Sequence, residues 1–138
     1  LDPLLDETMK TISSNPKIFS VGYQIDVRPY FAISNTLVFP SYREGFPNVV
    51  MQTGAMGLPV IVTNINGCNE IISHYRNGLI VPVKDEVKLL DAMTEIVENK
   101  VLLSNLKQNA RRTITDSYER TEIWSHLLKE YRRLEAKL

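Results

Sequence analysis

The stretch TLVFPSYREGFPNVVMQTGAMGLPVIVT, residues 36–63, decides the fold. It opens on a short apolar run at 36–40 and closes on a second at 59–63, each of the length and composition of a strand buried on both faces. Between them lie a Glu-Gly-Phe-Pro turn at 44–47 and a helix-compatible segment at about 47–57. Strand, loop, helix and strand in that order form the repeating unit of a parallel sheet.

Working outward, the runs KIFSVG (17–22) and GLIVP (78–82) repeat the strand signal, and helix-compatible segments fall at about 26–34 and about 68–74. This alternation predicts an α/β domain, a Rossmann-like parallel sheet with helices on both faces. Beyond residue 82 the pattern turns wholly helical and predicts a helical C-terminal tail. Leu89, Leu90, Met93, Ile96 and Val97 make one apolar stripe, with Asp85 as its N-cap. Leu102, Leu103, Leu106 and Ala110 make a second, and Ile123, Trp124, Leu127, Leu128, Tyr131 and Leu134 a third. All three stripes, Trp124 included, read as core. The charges of both signs on the last helix read as a solvated face, and SSNPK (13–17) as a loop.

The chain has 138 residues, 43% hydrophobic and 23% charged, a profile that suits one domain with a sizeable core. Sixteen basic and sixteen acidic side chains cancel, so no net field draws in nucleic acid or an anionic membrane. The single cysteine, Cys68, excludes an intrachain disulfide and suits a reducing compartment. No apolar run reaches the ~20 residues that span a bilayer. The expected location is cytoplasmic, with attachment at the inner face of a membrane left open. The chain begins on Leu1, without the features of a signal peptide, and reads as a piece of a longer polypeptide.

In an open parallel sheet, ligands sit outside the carboxyl ends of the strands. The loop after residue 40 presents Glu44 there, and Pro47 suits the first position of the following helix. The free N–H groups of Asn48 and Val49 at that helix start offer a seat for phosphate. Gly45 lets the backbone approach closely or take a dihedral closed to other residues. Gln52 lies eight positions after Glu44, between one and two turns into the helix, so acid and amide can hold two parts of one extended ligand. The plain alternative for Glu44 is a solvated loop residue.

The segment 40–72, PSYREGFPNVVMQTGAMGLPVIVTNINGCNEII, resembles the signature of the family 4 retaining glycosyltransferases of GT-B fold. Pro40, Ser41, Glu44, Gly45, Phe46, Gly57, Pro59, Val60, Gly67, Glu70 and Ile71 match that signature in order and spacing. The resemblance extends from about Ile18 to the C-terminus and points to the bacterial capsule and surface-polysaccharide enzymes. It implies the donor-binding half of a transferase. A sugar would pass from a UDP- or GDP-sugar to a saccharide or lipid-linked acceptor, in a cleft completed by an N-terminal domain absent from these 138 residues.

By the same resemblance Glu44 is catalytic and holds the sugar. The N–H groups of Phe46, Asn48 and Val49 face the sugar and diphosphate, Gln52 holds the ribose, and Gln24 with backbone groups from Ile25 to Val27 are the candidates to meet the base, the plain alternative for that loop being a solvated strand-to-helix turn. One position departs: the family has a second acid where this chain has Gln52. A neutral hydrogen bond there is worth about 1 kcal/mol, against about 1.5–3 kcal/mol for a charged partner, so weaker donor binding is expected at that point.

No metal or other cofactor is expected, since the sequence has neither Asp-x-Asp nor a His/Cys cluster of ligand spacing. His74 and His126 read as turn and helix-surface residues, Cys68 as a bystander, and Asn64, Asn66 and Asn69 as turn formers. Arg28 and Arg43 have no evident aim at a diphosphate. Two other readings stand beside the transferase: half of a nucleotide-sugar 2-epimerase, which isomerises donor without acceptor, and a non-catalytic nucleotide-binding or interaction module.

Overall fold

The computed structural model describes residues 4–137. Its centre is a three-stranded parallel sheet of β1 (Leu37–Phe39), β2 (Val60–Thr63) and β3 (Gly78–Val81), in spatial order β1-β2-β3. Val38 pairs with Ile61 and Val62 with Ile80, so the sheet is in register from edge to edge. β2 is central and buried at all four positions, which explains why VIVT carries apolar side chains without a polar alternation. Gly78 begins β3 because a Cβ there would stand 2.3 Å from the Val60 carbonyl oxygen.

The helices are α1 (Asp6–Ser14), α2 (Arg28–Ile33), α3 (Asn48–Ala55), α4 (Cys68–Ile71), α5 (Glu86–Glu98), α6 (Lys100–Tyr118) and α7 (Arg120–Glu135). Successive side chains of a strand point to opposite faces, and the two cores follow that alternation. Val60 and Val62 join Val50, Ile71, Ile72 and Ile114 on one face, whereas Ile61 joins Leu79, Ala92, Ile96 and Leu106 on the other. α6 supplies Ile114 to the first core and Leu106 to the second, so one helix ties both layers together. Burying a side chain such as Val60, Ile61 or Leu106 contributes about 1.5–3 kcal/mol. The α/β sheet with helices on both faces and a helical tail is thus as the sequence predicts, and Asp85 caps α5 by accepting the Lys88 N–H.

Four expectations fail in whole or in part. Residues 17–22 form no strand, and Phe19 and Tyr23 are 82% and 92% exposed. A strand is held by its neighbour's hydrogen-bond ladder, and β1, the edge strand, has a partner on one side only. The first tail stripe splits: Ile96 is buried and Leu89 half-buried, while Leu90, Met93 and Val97 face outward. The third stripe is not core at all, for Trp124 is 57% exposed and Ile123, Leu127, Leu128, Tyr131 and Leu134 are similarly open. The second stripe packs as expected through Leu106 and Ala110. The helix expected at about 68–74 is shorter, ending at Ile71, because Asn77 turns the chain: its amide donates to the Ile71 carbonyl and its Oδ1 accepts the Ser73 N–H. Among the described residues, no helix is long and apolar enough to cross a membrane.

Candidate functional site

The loop at the carboxyl end of β1 is tied down from its neighbour strand. Buried Thr63, the last residue of β2, donates its hydroxyl to the Ser41 carbonyl, and the Ser41 hydroxyl donates to Glu44 Oε1 at 2.7 Å. Two successive hydrogen bonds therefore set the Glu44 carboxylate relative to the sheet. Glu44 is half-buried, and among the described residues no Lys or Arg lies within salt-bridge distance of it. It keeps acceptor capacity for hydroxyl groups.

Pro47 is the N-cap of α3, with an extended ψ of 107°, and not its first residue as expected. The missing N–H is equally harmless one position earlier, and the Pro47 carbonyl accepts from Val50 and Met51. The N–H groups of Phe46, Asn48 and Val49 have no acceptor among the described residues. They lie where the positive end of the α3 dipole adds to their attraction for an anion.

The need for glycine expected at position 45 falls instead on Gly67, since Gly45 does not take a left-handed φ. A Cβ on Gly45 would meet open space, whereas one on Gly67 would stand 2.2 Å from the Gly45 carbonyl oxygen. Gly67 also has φ of 77°, in the left-handed region, and its N–H donates to Glu70 Oε1 at 3.1 Å. The 67–70 turn thus backs the Glu44 loop directly. Tyr118 of α6 reinforces it, donating its hydroxyl to the Glu70 carbonyl at 2.9 Å and meeting Phe46 edge-on at 5.5 Å. Cys68 lies behind this turn, fully buried; burial and then the Glu44 charge push its thiol pKa up, so it stays protonated and unreactive. His74 is structural, its Nδ1 accepting the Ile80 N–H.

A cavity of about 600 Å³ opens beside α3, bringing Gln52 together with Ile25, Asp26, Val27 and Arg28 and with Arg111 of α6. Phe31, Ala55 and Met56 complete its lining. Gln52 and Val27, far apart in sequence, therefore face one space. Gln24 does not join them: its amide folds back to donate to the Val21 carbonyl at 2.5 Å. Arg111 escaped the sequence reading because only α3–α6 packing brings it there; its position one residue after the buried Ala110 is the sole hint.

Arg28 acquires an aim from Asp26. Its Nε donates to Asp26 Oδ1 at 2.8 Å and its Nη2 to Oδ2 at 2.7 Å, a fork that holds the Asp26 pKa down to about 2. The sign follows: the bridge is complete above the ordinary value of 3.8 and is lost as pH falls through about 2. An NMR titration of the Asp26 carboxyl carbon should show its midpoint near 2, returning toward 3.8 in Arg28→Gln.

A second hollow, about 480 Å³, lies on the α5 side between Tyr42 and Lys84. It contains neither Glu44 nor Gln52, Asp85 and Glu86 line it, and the Lys84 ammonium sits over the Tyr42 ring. Those acids make it a poor seat for a diphosphate. No group of three or more His, Cys, Asp or Glu side chains able to hold a metal ion occurs among the described residues.

The chain matches the family described as "Glycosyl transferases group 1" over residues 2–99. It is 26% identical over 120 residues to the capsular polysaccharide biosynthesis glycosyltransferase CapM of Staphylococcus aureus, covering 87% of this chain and 32% of that one. It is 28% identical over 102 residues to the UDP-Gal:alpha-D-GlcNAc-diphosphoundecaprenol alpha-1,3-galactosyltransferase of Escherichia coli, covering 74% of this chain and 26% of that one. Among solved structures it superposes on sucrose-phosphate synthase from Thermosynechococcus elongatus with a TM-score of 0.87 and 27% identity, over 96% of this chain and 34% of that one. The chain thus spans about a third or less of the length of the curated relatives it matches.

Proposed function

The chain belongs to the group 1 glycosyl transferases, and we propose that it is the donor-binding domain of a retaining enzyme that transfers a sugar from a nucleoside-diphosphate sugar. One observation carries the reading. Gln52 and the 25–28 loop share a cavity, and Asn48, with a free N–H, lies one helical turn from Gln52, about 6 Å along the axis. That spacing suits a nucleotide laid along α3, with its diphosphate at the helix start, its ribose at Gln52 and its base against Ile25 and Val27.

Glu44, beyond the helix start, then accepts from hydroxyls of the sugar. As the bond from the anomeric carbon to the diphosphate breaks, negative charge grows on the leaving oxygens, and the N–H groups of Phe46, Asn48 and Val49 strengthen their hold on it. The acceptor hydroxyl forms the new bond on the face that the diphosphate leaves, and its proton passes to the departing diphosphate oxygen. Its acceptor would be a saccharide or a lipid-linked saccharide; the names of the capsular and diphosphoundecaprenol relatives support that choice, and the UDP-Gal in one of them supports a UDP donor. The acceptor site and the further cationic groups for the diphosphate would lie on a second domain of the whole enzyme.

A titration of the 138-residue chain with UDP, GDP and their sugar conjugates, followed by amide NMR, tests the donor site. Selective shifts at residues 44–52 and 25–28 are expected. Shifts elsewhere, or none in both this chain and the whole enzyme, would remove the donor-site reading. Isomerised donor in the absence of any acceptor would redirect the assignment to an epimerase.

A further inference from the structure

The hollow between Tyr42 and Lys84 contains neither Glu44 nor Gln52, yet it occupies the edge of the sheet that takes ligands. Its volume of about 480 Å³ falls within the range of about 300–1,000 Å³ usual for ligand pockets. Pro40 follows β1, Thr63 ends β2 and Val81 ends β3, so the carboxyl ends of all three strands open into it. Ligands of open parallel sheets sit outside those ends. Thr63 also joins the hollow to the donor-site loop: its hydroxyl donates to the Ser41 carbonyl, and the Ser41 hydroxyl holds Glu44. Tyr42 and Glu44 thus stand two residues apart on one tethered stretch, the first lining the hollow and the second outside it.

The polar groups of the lining are of both signs. The side chains of Tyr42, Lys84 and Glu86 make no hydrogen bond or ion pair among the described residues. Asp85 spends one carboxylate oxygen on the Lys88 N–H and keeps the other. Lys84 and Glu86 lie two residues apart without pairing. Lys84 has φ of 57°, in the left-handed region that a lysine enters only at a cost, and its ammonium is carried over the Tyr42 ring, whereas Glu86 is the first residue of α5. Backbone strain of this kind is held at binding sites. At 5.6 Å from the ring centroid, near the limit of about 6 Å for a cation–π contact, the ammonium is free to turn to a ligand. An anionic ligand would meet Asp85 and Glu86, and a cationic one Lys84. A neutral hydroxyl-rich ligand meets neither objection, because a hydroxyl both accepts from Lys84 and donates to Glu86. A pyranose carries such hydroxyls side by side, and its C–H faces suit an aromatic ring and the apolar Pro82 and Leu89.

Resting on the donor-site reading above, we propose that this hollow is a saccharide subsite, which holds a neutral sugar unit of the acceptor remote from the reacting hydroxyl. Tyr42 is its platform, and Lys84 and Glu86 are its hydrogen-bonding partners.

Amide NMR titration of the 138-residue chain with methyl α-glucoside, methyl α-galactoside and methyl N-acetylglucosaminide tests the subsite. At least one of them should shift residues 41–42 and 83–87 with a Kd on the order of 1–10 mM, the range open to a ligand of that size. Methyl glucuronide should bind less tightly, and UDP added in excess should leave the sugar shifts in place. Lys84→Gly keeps the fold, since glycine takes a φ of 57° freely. This variant and Glu86→Gln should each weaken the sugar about fivefold or more, the worth of one hydrogen bond. Lys88→Gln, paired with Asp91 further along α5, should leave it unchanged. No sugar shift at these residues, a tighter glucuronide, or full affinity in both variants would overturn the subsite while sparing the donor site. Loss of the sugar shifts on adding UDP would overturn it too, because sugar and nucleotide would then share one place. If neither this chain nor the whole enzyme binds UDP or GDP while the sugar shifts persist, the donor site falls and the acceptor role with it, and the hollow stands as a saccharide site alone.

Discussion

Gly67→Ala should destabilise the chain by about 3 kcal/mol or more and erase nucleotide-induced shifts at residues 44–49. Two costs combine at this position. With φ of 77°, any Cβ meets the left-handed penalty of about 1–2 kcal/mol. The added methyl would also stand 2.2 Å from the Gly45 carbonyl oxygen and 3.1 Å from Pro47 Cδ. Both neighbours belong to the loop that presents Glu44 and starts α3, and neither can rotate out of the way. Relief requires the two loops to separate, which displaces the Phe46 and Asn48 N–H groups. Gly57 supplies the control: its φ is also 77°, yet nothing lies within 4 Å of its added Cβ. Gly57→Ala should therefore cost only the dihedral term and leave the titration intact. Urea midpoints of both variants, read beside the amide titration, check the pair; equal losses for the two would show that the contact to Gly45 is immaterial.

The contrast between the two glycines illustrates what is legible in a sequence. The 36–63 stretch is readable because both its strands are buried on two faces and its helix lies between turn residues, all local signals. Its weak point is the boundary: Pro47 falls one position outside α3, the usual scatter of helix ends. Residues 17–22 carry the same apolar signal as β1, but a strand exists through its partner, and partner positions are not written in the run itself. The α7 stripe fails for a related reason. Helical period shows that Trp124, Leu127 and Tyr131 share a side of the helix, and says nothing of what, if anything, covers that side.

Within the site the division is similar. Glu44, Asn48, Val49 and Gln52 lie on one continuous loop and helix, so spacing alone places them. Gln24 lies only three residues from Val27 in sequence, yet its flexible amide donates to the Val21 carbonyl. Arg111 comes from 59 positions beyond Gln52, and Arg28 gains its direction only from the fork to Asp26. Side chains held by tertiary contacts are where local reading stops.

The second large effect concerns the contact that brings Arg111 to Gln52. Gly54, the penultimate residue of α3, faces Ile114 of α6, and a Cβ added to it would stand 2.6 Å from Ile114 Cγ1 and 3.1 Å from Cδ1. Ile114 is buried in the same core as Val50 and Val62, so its branch has little room to give. Gly54→Ala should force α6 away from α3 and cost about 1–3 kcal/mol as overpacking, against a gain of under about 1 kcal/mol from alanine's helix propensity. Ile114→Ala alone should cost about 2–5 kcal/mol by leaving a cavity. The double variant removes the colliding atoms and places the new methyl in the vacated space. It should be more stable than the sum of the single losses by about 1–3 kcal/mol, a coupling read from denaturation midpoints in a double-mutant cycle. Nucleotide affinity should follow the same cycle, falling in Gly54→Ala and recovering in the pair, because the α3–α6 distance sets the width of the cavity between Gln52 and Arg111. Additive losses in stability, or affinity that does not recover with it, would show that this packing does not hold the cavity open to size.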